Sequence, residues 1–411
     1  MSERTGLDRR ILARANALAD ELVAWRRYLH RHPELSFQEF ETTAFLESRL
    51  KEWGLQPVRR TPTGLWADID GTAAAPGGRR RTVAVRADID ALPIHELNDF
   101  EFRSARDGVM HACGHDGHTA ILLGVARTLL EMRDELPGRV RLLFQPAEEQ
   151  LPGGAPQMIA AGALEGVDEV IGLHLWSLLP TGKAGICAGP MMATADDFTI
   201  RVTGRGGHGA APHEAVDALA CAAQMVVALQ QVVSRRVNPL RPAVLTVGTF
   251  RAGSNFNIIA QTAELTGTVR TFDEDTRRVI VAAMERIVED TAAAFGAKGE
   301  LDYRYGYPAL VNDAAVTEVF RGAVRDVMGE TALVDVEPFM GGEDFAYYLK
   351  ERPGAFLFLG ARNEAVGAHF PHHHPNFTVD EAALPYGVAV LTATAWRLLE
   401  GRAAGLATAA V

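Results

Sequence analysis

The chain has 411 residues, 47% of them hydrophobic and 23% charged, enough for two or three domains whose cores need no covalent staple. A net charge of −11 argues against a general nucleic-acid binder, because such proteins carry a basic face. Cys113, Cys187 and Cys221 are too few and too scattered for a disulfide framework, and neither a signal peptide nor an apolar run of about 18 residues is read here, so a cytoplasmic, reduced protein without a membrane span is expected.

Ile11, Leu12, Ala15, Leu18, Ala19, Leu22 and Leu29 repeat at helical spacing and predict a helix over 7–30, with Asp8 as a candidate N-cap. Ser36 and Glu39 stand as a capping box opening a second helix, which Gly54 closes. Short apolar runs at 65–69, 82–87, 140–144 and 170–175 predict strands, and helical patterns at 119–132 and 157–161 fall between them. Strands alternating with helices argue for a largely parallel sheet covered on both faces, with ligands at the carboxyl ends of its strands.

The segment from Met110 to His118 holds three His, one Cys and one Asp within nine residues. Thiolate and imidazole suit zinc and other late transition metals. A nucleophilic or redox Cys113 is the competing reading. More ligand types fall near predicted strands. Glu148 and Glu149 follow the strand over 139–145, His174 lies in the run over 169–175, and His372, His373 and His374 cluster near the C-terminus. Singly, each reads as a solvated loop or a core histidine. Jointly they point to a metal site, in which one acid of the pair binds metal and its neighbour moves protons.

After Gly189 the pattern changes. Strands are predicted over 197–203, 243–251, 261–271 and 301–305, with helices over 215–235 and 275–295, which is the split β-α-β-β-α-β unit of ferredoxin-like folds. Helix and strand signals resume at 315–328 and 355–359, and a final helix ends near 400. Because the C-terminal histidines are expected to join Cys113 and His115, residues 191–305 are read as an insertion into a discontinuous domain of 1–190 and 306–411. Gly204 to Gly209 matches G-x-G-x-x-G, but no acid follows at the end of a next strand, so a dinucleotide site is not expected. There the glycines are read as allowing close backbone approach, with His208 as the reactive group.

Taken together, HACGHDGH, FQPAEE, GGHGAAPH and GGEDFA resemble the M20 metallopeptidase-type amidohydrolases, in the branch of hippurate hydrolases, aminoacylase-like enzymes and auxin-conjugate hydrolases. The resemblance runs from about His30 to the last helix. It implies a zinc-peptidase-like α/β domain, a mixed sheet with helices on both faces, plus an inserted ferredoxin-like α+β lid that dimerises. Its motifs imply metal ligands at Cys113, His115, Glu149, His174 and one of the C-terminal histidines, His373 by its place two residues before Pro375. They also imply Glu148 as general base. Other branches carry a His-x-Asp pair where this chain has Asp88-Ile89-Asp90, so no ligand is transferred there. Asp90 either orients a ligand from behind or is an exposed strand-end acid.

The activity expected is hydrolysis of a small N-acyl amino acid by metal-activated water, with one or two divalent ions (Zn, Mn, Co or Ni) per chain and a homodimer or higher homo-oligomer. His208 is expected to hydrogen-bond the developing oxyanion. Arg270 and Asn257 are candidates for the substrate carboxylate, against an ordinary surface charge and a turn residue. The alternatives are a metal-dependent dipeptidase or carboxypeptidase on the same scaffold, and a cysteine hydrolase using Cys113.

Overall fold

Val83, Val85, Leu142, Phe144, Val170 and Ile171 are all buried, and apart from half-buried Thr82 their neighbours in sequence are buried with them. Continuous apolar runs of this kind suit strands covered on both faces, and here they form the inner strands of a sheet. The computed structural model describes residues Ser2–Gly401. Two units separate by their internal contacts. The first comprises the chain up to Gly189, Val311–Glu337 and the chain from Asp344 onward; the second comprises Pro190–Leu310 and Pro338–Glu343.

The first unit is built on a seven-stranded sheet in the order Leu65–Asp70, Arg139–Gln145, Thr82–Asp88, Glu169–Pro180, Gly354–Arg362, Ala184–Gly185, Leu333–Val334. Thr82–Asp88 runs parallel to both of its neighbours, and Glu169–Pro180 is also parallel to Gly354–Arg362. Leu65–Asp70 is antiparallel to its partner, so the sheet is mixed. Helices His115–Glu131 and Leu384–Leu399 pack on the central strands. Residues Glu381–Leu399 reach a mean hydropathy of 1.2 over a membrane-length window, yet 89% of that window is buried, as befits a core helix.

Two helix expectations are corrected. The single helix over 7–30 is two helices, Ser2–Ala17 and Ala19–Arg31, parted by a turn at Leu18. Apolar spacing runs on across the break because Ile11, Ala15, Leu18 and Leu22 are all buried. Asp8 is not an N-cap; it lies within the first helix, buried against Arg397 at 2.8 Å. Nor do Ser36 and Glu39 form a capping box. The next helix, Phe40–Glu52, takes its first-turn cap from Glu34, whose carboxylate accepts the N–H groups of Glu41 and Thr42, while the Ser36 hydroxyl donates to Asp90 and the Glu39 carboxylate accepts from Phe37 and Ala147.

The second unit has the strands Ala195–Thr203, Ala243–Ala252, Thr262–Thr271 and Lys298–Tyr307, antiparallel and in the spatial order fourth, first, third, second. Helix Ala218–Gln231 is capped by Asp217, and helix Glu274–Phe295 is capped by Asp273 and closed by left-handed Gly296. Phe198, Ile200 and Val202 point to one side of their strand and pack with Met225, Leu229, Ile280 and Met284. This is the ferredoxin-like arrangement. Its second strand, Ala243–Ala252, lies at a sheet edge with Phe250 exposed. Residues Ala218–Arg236 match the hydropathy of the core helix above but are only 33% buried, since one face alone meets the sheet.

Candidate metal centre

Gly114 adopts φ +94° between Cys113 and the helix that His115 opens. Only a residue without a Cβ takes that conformation cheaply, and it turns the two ligand-type side chains toward one point. Glu148 and Glu149 leave the strand Arg139–Gln145 through Ala147, also at positive φ. His174 projects from the strand Glu169–Pro180, and His373 from the C-terminal segment.

These side chains converge within the first unit. Donor atoms of Cys113, His115 and His174 lie within 4.8 Å of one another, as do those of Cys113, Glu149 and His373, and those of His115, Glu148 and Glu149. Cys113 Sγ stands 3.4 Å from His174 Nε2, and His373 Nε2 stands 3.2 Å from Glu149 Oε1. His115 Nε2 and Glu149 Oε1 face each other at 3.9 Å, both buried and neither hydrogen-bonded. Buried polar atoms almost always find partners, so two orphans aimed at one point mark a place where a cation fits.

The outer nitrogens of the histidines are engaged. His115 Nδ1 meets Asp90 through the backbone oxygen at 3.0 Å and the carboxylate at 3.2 Å, and His174 Nδ1 donates to Leu175 O at 2.8 Å. Each bond leaves the Nε2 lone pair directed into the cluster, the tautomer a ligand needs. Asp90 is 1% exposed and its other oxygen accepts from Ser36 Oγ and Glu149 N, so it is not an exposed strand-end acid.

The structure separates the three adjacent histidines. His372 uses both ring nitrogens, toward Leu175 O and Ser177 Oγ, and burial lowers it to about 4. His374 Nδ1 accepts from Asn376 N, and its ring stacks on Phe370. His373 alone of the three reaches Glu149.

Burial disfavours charge on His115, but Asp88, Asp90 and Glu149 outweigh it and raise the imidazole to about 10. Burial, then Glu149 and Glu148, push the Cys113 thiol well above its ordinary value. In both, carboxylates crowd a buried point: they overcome burial at His115 and add to it at Cys113, and such a point favours a cation.

Sequence reasoning missed several residues that set this geometry. His118 donates from Nδ1 to Asp88 at 2.7 Å and accepts Leu175 N–H at 2.9 Å, so it fastens the strand beside His174 with no nitrogen left for a metal. Behind the helix start, Asp116 is held by Arg26 at 2.8 Å and His30 at 2.9 Å. Arg86 joins Asp88, Gln145 and Asp344 in a buried network under the acid pair. A histidine at His118, inside the motif, was visible; its saturating partner on another strand was not.

The model of Peptidase family M20/M25/M40 matches residues 84–397, over three quarters of the chain. The chain belongs to the M20 family. Among its relatives, N-acetyl-L-cysteine deacetylase of Bacillus subtilis is 46% identical over 94% of this chain and 90% of that protein. N-acyl-L-amino acid amidohydrolase of Geobacillus stearothermophilus is 53% identical over 71% of this chain and 78% of that protein. Among solved structures, the Bacillus subtilis YXEP protein, described as a dinuclear metal binding peptidase of the M20 family, superposes with a TM-score of 0.81 at 37% identity, covering 94% of this chain and 99% of that one.

The remaining residues singled out in the sequence of this M20 chain, His208, Asn257 and Arg270, lie in the second unit. His208 is exposed and pairs with Ile258 across a short two-stranded ladder, and Asn257 is exposed beside it, its carbonyl accepting Gly209 N–H at 2.8 Å. His208 Nδ1 accepts Ala210 N–H at 3.0 Å, so in the neutral ring the proton sits on Nε2, ready to be donated. Arg270 is half-buried on Thr262–Thr271, where its backbone pairs opposite Val244, and its guanidinium makes no hydrogen bond or ion pair among the described residues. Burial lowers its pKa, with Asp196 opposing. The G-x-G-x-x-G glycines face backbone: a Cβ at Gly204 would lie 2.2 Å from Val216 O, and one at Gly209 3.0 Å from Asn257 O.

Proposed function

We propose that this protein is a divalent-metal-dependent amidohydrolase that cleaves the amide bond of N-acyl amino acids. The carrying observation is the convergence of buried donor atoms around an acid pair, with His115 Nε2 and Glu149 Oε1 left unbonded and facing each other. The kinship with an N-acyl-L-amino acid amidohydrolase and an N-acetyl-L-cysteine deacetylase supports the substrate class.

In this reading Cys113, His115, Glu149, His174 and His373 hold one or two ions of zinc, manganese, cobalt or nickel. Such an ion, when bound, polarises a carbonyl oxygen and lowers the pKa of water. The chain's own residues do the rest. Glu148 takes the proton from the attacking water and later delivers one to the leaving amine. Asp90 fixes both the His115 ring and the Glu149 backbone, so the donor set is preorganised. His208 donates through Nε2 to the oxyanion, and Arg270, with Asn257, holds the substrate carboxylate. A cysteine hydrolase is disfavoured, because a nucleophilic thiol needs a lowered pKa and the surroundings of Cys113 raise it.

The test is a panel of N-acyl amino acids and dipeptides assayed for amine release with each of the four metals. N-acyl amino acids are expected to be cleaved fastest; dipeptides as the only good substrates would favour the peptidase reading.

A homodimer formed through the second unit belongs to the same proposal. An exposed edge strand such as Ala243–Ala252 needs pairing or covering, and in the proposed dimer His208 serves the partner's metal site. Mixed Glu148→Gln and His208→Ala chains, each inactive alone, are expected to regain measurable activity as heterodimers. Proven heterodimers that stay inactive would rule out service across the interface.

A further inference from the structure

Three residues other than glycine hold a positive φ among the described residues: Phe37 at 66°, Ala147 at 53° and His373 at 66°. Left-handed backbone is unfavourable for any side chain with a Cβ, so surrounding bonds must impose it. Two of the three belong to the metal centre, since Ala147 directly precedes Glu148 and His373 is one of the converging donors.

The bonds that hold Ala147 are explicit. Its N–H donates to Glu39 Oε1 at 2.8 Å, and the same oxygen accepts the N–H of Phe37 at 3.0 Å. One buried carboxylate oxygen thus clamps two left-handed residues, Phe37 two positions before Glu39 and Ala147 108 positions beyond it. On the other side of Glu148, the N–H of Glu149 donates to Asp90 Oδ2 at 3.0 Å, and Ser36 Oγ braces that oxygen at 2.6 Å. Residues 36–39 therefore grip the chain on both flanks of Glu148. A helix-capping role does not account for Glu39, because the first-turn N–H groups of helix Phe40–Glu52 at Glu41 and Thr42 are taken by the Glu34 carboxylate.

We infer that Glu39 is a positioning residue for Glu148, holding the Ala147 peptide in its left-handed conformation and so aiming Glu148 into the site, while Asp90 holds the Glu149 peptide. The inference rests on the reading of Glu148 as general base. Glu39 acts through the Ala147 peptide, which sets the direction in which the chain leaves the strand Arg139–Gln145. A displacement of order 1 Å in a catalytic group costs up to about a hundredfold in rate, so the clamp has a kinetic signature.

The experiment compares Glu39→Gln, which keeps an acceptor oxygen at the same reach, with Glu39→Asp, which withdraws it by one methylene. Folding is monitored by circular dichroism, and kcat, KM and bound metal are measured for each chain. Glu39→Asp is expected to lose about 10- to 100-fold in kcat with KM and metal content held, and Glu39→Gln to stay within about threefold of the parent. Adding Ala147→Gly to the Glu39→Asp chain is expected to restore much of the loss, since glycine takes positive φ unaided. A Glu39→Asp chain as fast as the parent overturns the inference. So does a Glu39→Gln chain as slow as Glu39→Asp, a loss confined to metal content or KM, or a double variant with no recovery. A Glu148→Gln control run alongside separates the two layers: if that control is fully active, the base reading itself has failed.

Discussion

Glu148→Gln is expected to keep its fold and its metal while losing about 10²–10⁴ in kcat, the usual contribution of a positioned general base. The amide matches the carboxylate in shape but cannot take a proton from water. Glu149→Gln is expected to fail differently. In the proposed reading Glu149 is a ligand rather than a proton carrier: its buried Oε1 lies 3.2 Å from His373 Nε2 and 3.9 Å from His115 Nε2. Its replacement should lower metal occupancy, and added metal should recover part of the activity. Elemental analysis and kinetics at graded metal concentration separate the two variants. Equal metal loss in both, with activity tracking occupancy, contradicts the division of labour within the pair.

Arg270 gives the second large effect. A half-buried guanidinium that forms no ion pair among the described residues, with Asp196 acting on it only at longer range, is a poor structural element and a good receptor for a carboxylate, which it meets with a planar two-pronged fork. Converting the substrate's free carboxylate to its methyl ester should therefore cost about 1.5–3 kcal/mol in transition-state stabilisation, roughly 10- to 150-fold in kcat/KM. Arg270→Ala should slow cleavage of the acid and erase most of the difference between acid and ester. An unmutated enzyme that cleaves ester and acid equally well would instead be a general amidase.

The sequence carried the strands of the first unit clearly because they are covered on both faces and read as unbroken apolar runs, as at Leu142, Leu143 and Phe144. The β-α-β-β-α-β order of the second unit was legible for the opposite reason: Phe198, Ile200 and Val202 alternate with outward residues, and its helices carry ordinary Asp caps. Local reading went astray where polar residues serve distant partners. Ser36 and Glu39 have capping-box spacing, yet they bind Asp90 and Ala147 across the fold. Asp8 has the look of an N-cap and pairs with Arg397 instead. The metal motif was plain from residue types alone, but the supports of its ligands were not. His118 looks like one more ligand until Asp88 and Leu175 N are found on its two nitrogens. Among three consecutive histidines only the family resemblance, through the distance to Pro375, singled out His373; residue types alone could not, and in the structure His373, at φ +66°, is the one whose ring reaches Glu149.

The central claim is that a bound divalent metal enables amide hydrolysis of an N-acyl amino acid. The most direct measurement is amine release from such a substrate by purified protein of known metal content, before chelation, after it, and after each of zinc, manganese, cobalt and nickel is restored. One or two ions per active chain, loss of activity on their removal, and recovery with at least one of the four metals are expected. Protein that is active yet free of transition metal, or that keeps its rate through chelation, would contradict the claim.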